Sequence, residues 1–143
     1  MLDFLKEINR KLVVIALVLI TVSAFGQGNS VKFVTKIERN EKPCGGANLT
    51  VLQNGQQFKT FVTNDDGKVD IDLPGGYKYA IVVTKPQLCA KKFEISTMNL
   101  PPTGKYVFQI ESISLFELQP GIDYSVLKKT LVKANFNPNY QYN

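Results

Sequence analysis

Apolar and polar residues alternate with a period close to two along most of the chain after residue 30. In "VKFVTKIE" at 31–38, Val31, Phe33 and Ile37 share one face, and "VDIDL" at 69–73 repeats the pattern. Alternation over four to eight residues is typical of β-strands with one buried face. Similar runs, separated by turn residues, occur at 47–54, 58–64, 77–84, 91–97 and 105–118. The pattern predicts an all-β domain, an antiparallel β-sandwich of about seven to eight strands.

The run at 105–118 contains a change of phase. Tyr106, Phe108 and Ile110 share one face, but Ile113 and Leu115 belong to the other. A β-bulge near Ser112 would produce this slip, since one extra residue moves the following side chains to the other face. A strand buried on both faces is the alternative. Helical periodicity is confined to a possible turn at 123–131.

The first 26 residues have the pattern of a cleaved secretory signal. A start with three basic residues precedes an apolar run of 11 residues at 12–22, and Ala24 and Gly26 are the small residues before the cleavage position. This run is shorter than the ~20 residues of a membrane span. We expect a secreted chain that starts at Gln27, in the periplasm or at the cell surface, with no transmembrane span after cleavage. An uncleaved anchor or a buried helix is the alternative.

The chain beyond the signal is long enough for one domain with a hydrophobic core. We expect the β-sandwich at 27–134 and an Asn/Tyr-rich strand or tail at 135–143. Without residues 1–26, 14 basic residues face 10 acidic residues, a net charge of about +4. The lysines are dispersed, which is typical of a solvated surface. We therefore expect no nucleic-acid partner.

Four aspartates surround a glycine in "TNDDGKVDID" at 63–72: Asp65, Asp66, Asp70 and Asp72. Calcium loops of the EF-hand type need oxygen ligands at alternating positions and a glutamate near the end, which this stretch does not provide. Asp70 and Asp72 have the spacing of a strand's exposed face, and Asn or Asp before Gly favours a turn. We interpret the stretch as a β-hairpin. A calcium site made of the four aspartates is the alternative.

The residues offer little for catalysis. The chain has no histidine, so neither a Ser-His-Asp nor a Cys-His arrangement can form within it. A phosphate-binding loop and a dinucleotide-binding fingerprint are also missing. We expect no catalytic residue, no cofactor and no metal, and we predict a non-catalytic interaction or structural module of the cell envelope. A small-ligand or calcium-binding protein is the alternative.

The partner of such a module would be another cell-envelope protein, bound at a sheet edge that accepts a further strand. Four aromatic residues near the C-terminus are candidate anchors: Tyr124, Phe136, Tyr140 and Tyr142. The alternative is that they close the core or cover an edge, with Phe136 turned inward.

Cys44 and Cys89 are the only cysteines. In an oxidising compartment, an even number of cysteines in a small domain suggests a disulfide. Two unpaired thiols are the alternative. A zinc site is disfavoured because two cysteines without histidine provide too few ligands.

The stretch "FVTNDDGKVDIDLPGGYKYAI" at 61–81 resembles the signature of transthyretin-like sandwiches, the carboxypeptidase regulatory-like domains. The signature runs from Thr through turn residues to Gly, then an alternating strand, a Pro/Gly break and Tyr. The matching residues are Thr63, Gly67, Val69, Ile71, Leu73, Gly75 and Tyr77. "GGANLTV" at 45–51 is similar to the small-residue turn before the family's second strand. The resemblance covers about residues 31–97 and implies a Greek-key sandwich, with almost no information about catalysis.

The resemblance also implies a pairing of the cysteines. In such sandwiches, the strand that starts near Ala47 runs antiparallel beside the strand that ends near Thr84. This would bring Cys44 near Cys89, and we expect them to form a disulfide. The later part of the chain and the "FGQ" end of the signal resemble cell-envelope proteins of Bacteroidota.

Overall fold

The computed structural model describes residues 28–137 and 141–142, which form ten β-strands and one short 3-10 helix. The strands are β1 (Ser30–Arg39), β2 (Lys42–Pro43), β3 (Asn48–Gln53), β4 (Gln56–Val62), β5 (Lys68–Pro74), β6 (Lys78–Thr84), β7 (Lys91–Ser96), β8 (Lys105–Leu115), β9 (Thr130–Asn137) and β10 (Gln141–Tyr142). The 3-10 helix covers Ser125–Lys128. The predicted all-β sandwich is confirmed, and two of the ten strands are only two residues long.

The strands form a four-stranded and a six-stranded sheet. In the smaller sheet, β1 pairs antiparallel with β5 and β2 and parallel with β8. The larger sheet has the order β10-β9-β7-β6-β3-β4, and its β7–β9 pair is also parallel. The sandwich was predicted to be antiparallel, and these two pairs are the exceptions among the described strands. The chain leaves β7, forms β8 in the other sheet and returns to β9 in the original direction, which gives a parallel crossover and no hairpin.

The core lies between the two sheets and consists of the inward-facing residues of each strand. Burial alternates strictly in β5, where all three apolar residues of "VDIDL" are buried and both aspartates are exposed. The largest fully buried side chains are Tyr79, Phe33, Ile37, Leu49, Ile71, Leu73, Ile81, Ile95 and Leu115. In β1, β5 and β6 the period-two pattern thus places the predicted apolar face inward, because successive strand side chains point to opposite faces of a sheet.

The predicted bulge in β8 is confirmed. Thr35 of β1 pairs with Ile110 and Ile37 pairs with Ile113, so two steps along β1 correspond to three along β8. The extra residue lies at Glu111–Ser112 and lets Ile113 point into the core, where it is buried. The strand continues beside β1 after the bulge and does not cross to the other sheet.

The β3–β4 connection is a two-residue hairpin at Asn54–Gly55. Both residues have positive φ, 49° and 83°, and Gln53 pairs with Gln56 across the turn. Asn-Gly is the favoured pair for this kind of turn, since both residues tolerate the left-handed region. No helix of the described residues is long and apolar enough to span a membrane. The predicted signal at 1–26 lies outside them.

Candidate functional site

The predicted acidic hairpin is a turn that links the two sheets. β4 pairs with β3, whereas β5 pairs with β1, so residues 63–67 carry the chain from the larger sheet to the smaller one. Asn64 builds the turn, because its backbone oxygen accepts the Gly67 N–H at 2.9 Å and its Oδ1 accepts the Lys68 N–H at 2.8 Å. The hairpin interpretation was wrong because Asn-Asp-Asp-Gly determines a turn but not the neighbour of the strand that follows.

The four aspartates do not converge on one point. Asp65 and Asp66 lie on the turn, whereas Asp70 and Asp72 lie on the exposed face of β5. Asp70 Oδ2 is 2.9 Å from Lys32 Nζ on the neighbouring strand. This hydrogen bond, with the charge of Asp70, raises the pKa of Lys32 above its ordinary value. Among the described residues, no group of three or more candidate metal ligands occurs.

The strand neighbours implied by the resemblance are present, but the disulfide is not. Asn48 at the start of β3 pairs antiparallel with Thr84 at the end of β6. Cys44 and Cys89 are nevertheless both free and both buried in this structure. Cys44 belongs to the hydrophobic core cluster, and Cys89 does not.

The reason lies in the backbone partners of the two cysteines. The Cys44 N–H donates to the carbonyl of Ile37 at 2.9 Å, directly after β2. The Cys89 N–H donates to the carbonyl of Phe116 at 2.8 Å, directly after β8. Since β2 and β8 both pair with the last residues of β1, they lie along its opposite edges. The connection after β6 therefore attaches Cys89 to the side of β1 away from β2.

Two of the predicted aromatic anchors contact the chain itself. The Tyr124 hydroxyl accepts the Gln119 N–H at 2.9 Å. The Phe136 ring packs against the core, with its centroid 5.1 Å from that of Tyr106. Phe136 is thus turned inward, and it lies in β9 between β7 and β10. Tyr140 and the side chain of Tyr142 lie outside the described residues.

The β4 edge, residues Gln56–Val62, is the most exposed of the strands β3, β4, β6 and β7 of the larger sheet. Only Phe61 of its seven residues is not exposed. Phe58 and Val62 are 42% and 58% exposed. β4 is the last strand of its sheet, so one row of its backbone N–H and C=O groups points away from the sheet. Sequence reasoning expected a sheet edge as a contact surface, but it placed the candidate anchors near the C-terminus and not on β4, which lies at the opposite end of this sheet from β10.

A bulge shapes the β4 edge. Val51 pairs with Lys59 and Leu52 with Gln57, which leaves Phe58 as the extra residue. The Phe58 ring lies 6.1 Å from that of the buried Tyr79, in an edge-on arrangement. Bulges at sheet edges turn side chains away from the regular alternation. Here the bulge presents an aromatic ring beside the strand's free backbone.

A shallow groove of about 610 Å³ crosses the outer face of the larger sheet and is lined by residues of β3, β6, β7 and β9. Glu94 accepts the Thr130 hydroxyl at 2.6 Å, and Lys92 and Lys133 each place Nζ 3.5 Å from its carboxylate. The Thr130 hydrogen bond lowers the pKa of Glu94, and the two lysines add to the effect. Glu94 is therefore an ionised hydrogen-bond acceptor at neutral pH and not a proton donor.

Comparison with solved structures finds distant similarities, among them two catechol dioxygenases. No family model matches the sequence, and no curated protein matches it. A 3-chlorocatechol 1,2-dioxygenase from Rhodococcus opacus 1CP superposes with a TM-score of 0.45 and 8% identity, over 65% of this chain and 62% of that one. A mercury-inhibited catechol 1,2-dioxygenase from Acinetobacter sp. ADP1 gives 0.45 and 10%, over 74% and 58%. The chain spans less than two thirds of either protein, and at this level of similarity they carry no argument about its function.

Proposed function

We propose that the chain is a non-catalytic interaction module of the cell envelope, which binds a partner protein by accepting one of its strands at the β4 edge. The observation that carries this proposal is the exposure of β4, with an unpaired row of backbone groups beside two exposed apolar side chains. Main-chain hydrogen bonds to a free edge supply affinity in strand addition, and side-chain contacts supply specificity. The signal pattern at 1–26 supports the location.

The charge on β4 favours a different protein over a second copy as the partner. Lys59 is the middle residue of the seven in β4 and the only charged one. A symmetric antiparallel pairing of two copies about this residue would place the two Lys59 side chains opposite each other, and like charges in that position are destabilising. A partner strand with an acidic residue there would form an ion pair instead. The structure thus fits an extended apolar segment that carries an acidic residue.

The apolar side chains of the edge give the partner its anchors. Phe61 is half-buried against the core and lies under Lys59, whose Nζ is 5.1 Å from the ring centroid. Phe58 and Val62 are on either side of it along the strand. An incoming strand would cover these three side chains, which is a favourable burial of apolar area.

The test is capture of the partner from gently solubilised envelopes by the tagged protein, with two matched variants. Val62→Lys places a charge on the β4 edge. Val107→Lys does the same on β8, at a valine 61% exposed on the edge of the other sheet. We expect the wild type and Val107→Lys to retain the same stoichiometric protein and Val62→Lys to lose it. In the complex, the β4 amides should gain protection from hydrogen exchange.

Two results would contradict the proposal. One is a complex that survives Val62→Lys but not Val107→Lys. The other is a wild-type protein that elutes alone. A third variant, Lys59→Glu, tests the charge argument separately, because it should weaken binding to an acidic strand while leaving the apolar anchors in place.

A further inference from the structure

A second cavity lies at the end of the sandwich where the β1–β2 hairpin meets the connection after β6. It has a volume of about 390 Å³, and its lining includes Arg39, Asn40, Lys42, Gly45 and Lys85. All of its charged lining residues are basic. Its volume falls in the range of about 300–1,000 Å³ that small-molecule sites occupy.

The hairpin turn brings two of these cations together. Arg39 pairs directly with Lys42 across the two-residue turn Asn40–Glu41, whose residues have φ values of 50° and 62°. Directly opposed strand residues place their side chains on the same face, and like charges there are destabilising. The fold gains no stability from this juxtaposition, and neither residue at the turn is a glycine. Two neighbouring cations in a cavity can, however, bind an anion.

Lys85 joins the pair from a distant part of the sequence. Its Nζ donates to the carbonyl of Gly45, which fixes the ammonium group at the cavity. Arg39 already holds the carboxylate of Glu117 through one terminal nitrogen. Lys42 forms no ion pair within the described part of the chain. Glu41 lies at the tip of the turn, and the Cα of Asp65 lies 3.0 Å from the Cβ position of Gly45, but neither acidic residue belongs to the lining of the cavity.

We propose that this cavity binds an oxyanion, namely a phosphate or carboxylate group of a small ligand. A guanidinium has five N–H donors in a planar fork, so Arg39 keeps donors for a second oxyanion while Glu117 occupies part of the fork. Lys42 and Lys85 line the same cavity and add two point charges to it. This site is independent of the β4 edge and does not depend on the proposed function.

The test is a titration of the ¹⁵N-labelled protein with inorganic phosphate and, separately, with citrate, each at constant ionic strength held with sodium chloride. We expect saturable shifts of the amide signals of Asn40, Lys42 and Gly45. Lys42→Gln should raise the dissociation constant by at least about fivefold, as loss of one charge-assisted contact implies. Lys105→Gln, at an exposed lysine at the start of β8, is the matched control and should leave the constant unchanged.

Each outcome decides the matter. Saturation by phosphate alone, by citrate alone or by both supports the site and identifies the preferred oxyanion. Shifts that do not saturate by about 10 mM, or that are as large near Lys59 and Lys105 as at the cavity, would overturn it, because they correspond to free energies too small for a specific site or to general screening. Equal binding by Lys42→Gln and the wild type would overturn it as well.

Discussion

The side-chain hydroxyl of Thr63 accepts the backbone N–H of Ala47 at 2.9 Å. The same hydroxyl donates to the carbonyl of Cys44 at 2.8 Å, and both of its contacts are buried. The backbone of Thr63 adds two hydrogen bonds to this turn, one to Ala47 and one from Gly46. Thr63 thus fastens the turn at 44–47 to the start of the link between the two sheets.

Replacement of Thr63 by valine should destabilise the fold by about 3 kcal/mol, because a buried donor and a buried acceptor lose their partner. Thr63→Ser keeps the hydroxyl and should cost about 1 kcal/mol, the value of one buried methyl group. Urea denaturation of the two variants measures the difference. Equal stabilities would show that the hydroxyl contributes nothing beyond the volume of the side chain.

Gly67→Ala should be among the most damaging single substitutions in the chain. Gly67 has a φ of +73°, and a Cβ there would lie 2.3 Å from the backbone oxygen of Ile37. The closest atoms are backbone, so we expect a loss of at least about 3 kcal/mol. Gly55→Ala is the control, since Gly55 has a φ of +83° with no atom within 4 Å of its Cβ position. It should lose only about 1–2 kcal/mol of backbone strain.

Glu94 should contribute to stability in a pH-dependent way. Its pKa is lowered in the folded state, chiefly by the Thr130 hydroxyl. Its contribution is therefore present above the pKa of the unfolded chain and is lost as the pH falls through the folded value. Thr130→Val should raise the pKa of Glu94 in an NMR titration and reduce the loss of stability on acidification. Thr60→Val, at an exposed threonine of β4, should do neither. An unchanged Glu94 titration in Thr130→Val would contradict this account.

Calcium should not stabilise the protein, because the four aspartates are divided between a turn and a strand face. The melting temperature should be the same with millimolar calcium and with a chelator. Asp65→Asn and Asp66→Asn should not change this result. A rise in melting temperature with calcium that either variant abolishes would re-establish the calcium alternative.

When the protein is unfolded without reductant, a thiol reagent should detect two free cysteine thiols per chain. In the folded protein both should react slowly with a thiol reagent, since Cys44 and Cys89 are 5% and 4% exposed. An unfolded, unreduced chain without reactive thiols would show that the disulfide forms after all.

Features that depend on local sequence were predictable. The buried face of β5 follows from strict alternation, and the bulge in β8 was visible as the change from even to odd positions after Ile110. The turn at Asn64–Gly67 was also predictable, because the Asn64 side chain accepts a backbone N–H of its own turn and Gly67 adopts a φ of 73°. In each case, the information lies within a few adjacent residues.

Features that depend on distant pairing were not predictable. The sequence of β5 does not indicate that it pairs with β1 and not with β4. The sequence of β9 does not indicate that its neighbour β7 is parallel to it. The proposed oxyanion cavity is lined by Lys85 together with Arg39 and Lys42, which lie more than forty positions earlier in the sequence. Which strand becomes the exposed edge is likewise decided only when the sheet is complete. The resemblance to transthyretin-like sandwiches stays a prediction, although two of its residues, Thr63 and Gly67, have structural roles here.

The parallel pairing of β1 with β8 has a consequence for how the chain must be made. Ser30 pairs with Lys105, so β1 is synthesised before any residue of β8, its parallel neighbour. Until then, one edge of a strand with a fully buried apolar face in the finished fold stays open, and open edges recruit strands from other chains. A truncated product that stops before Lys105 would keep that edge permanently. Any shortened form of this protein should therefore keep its first and eighth strands in the same molecule.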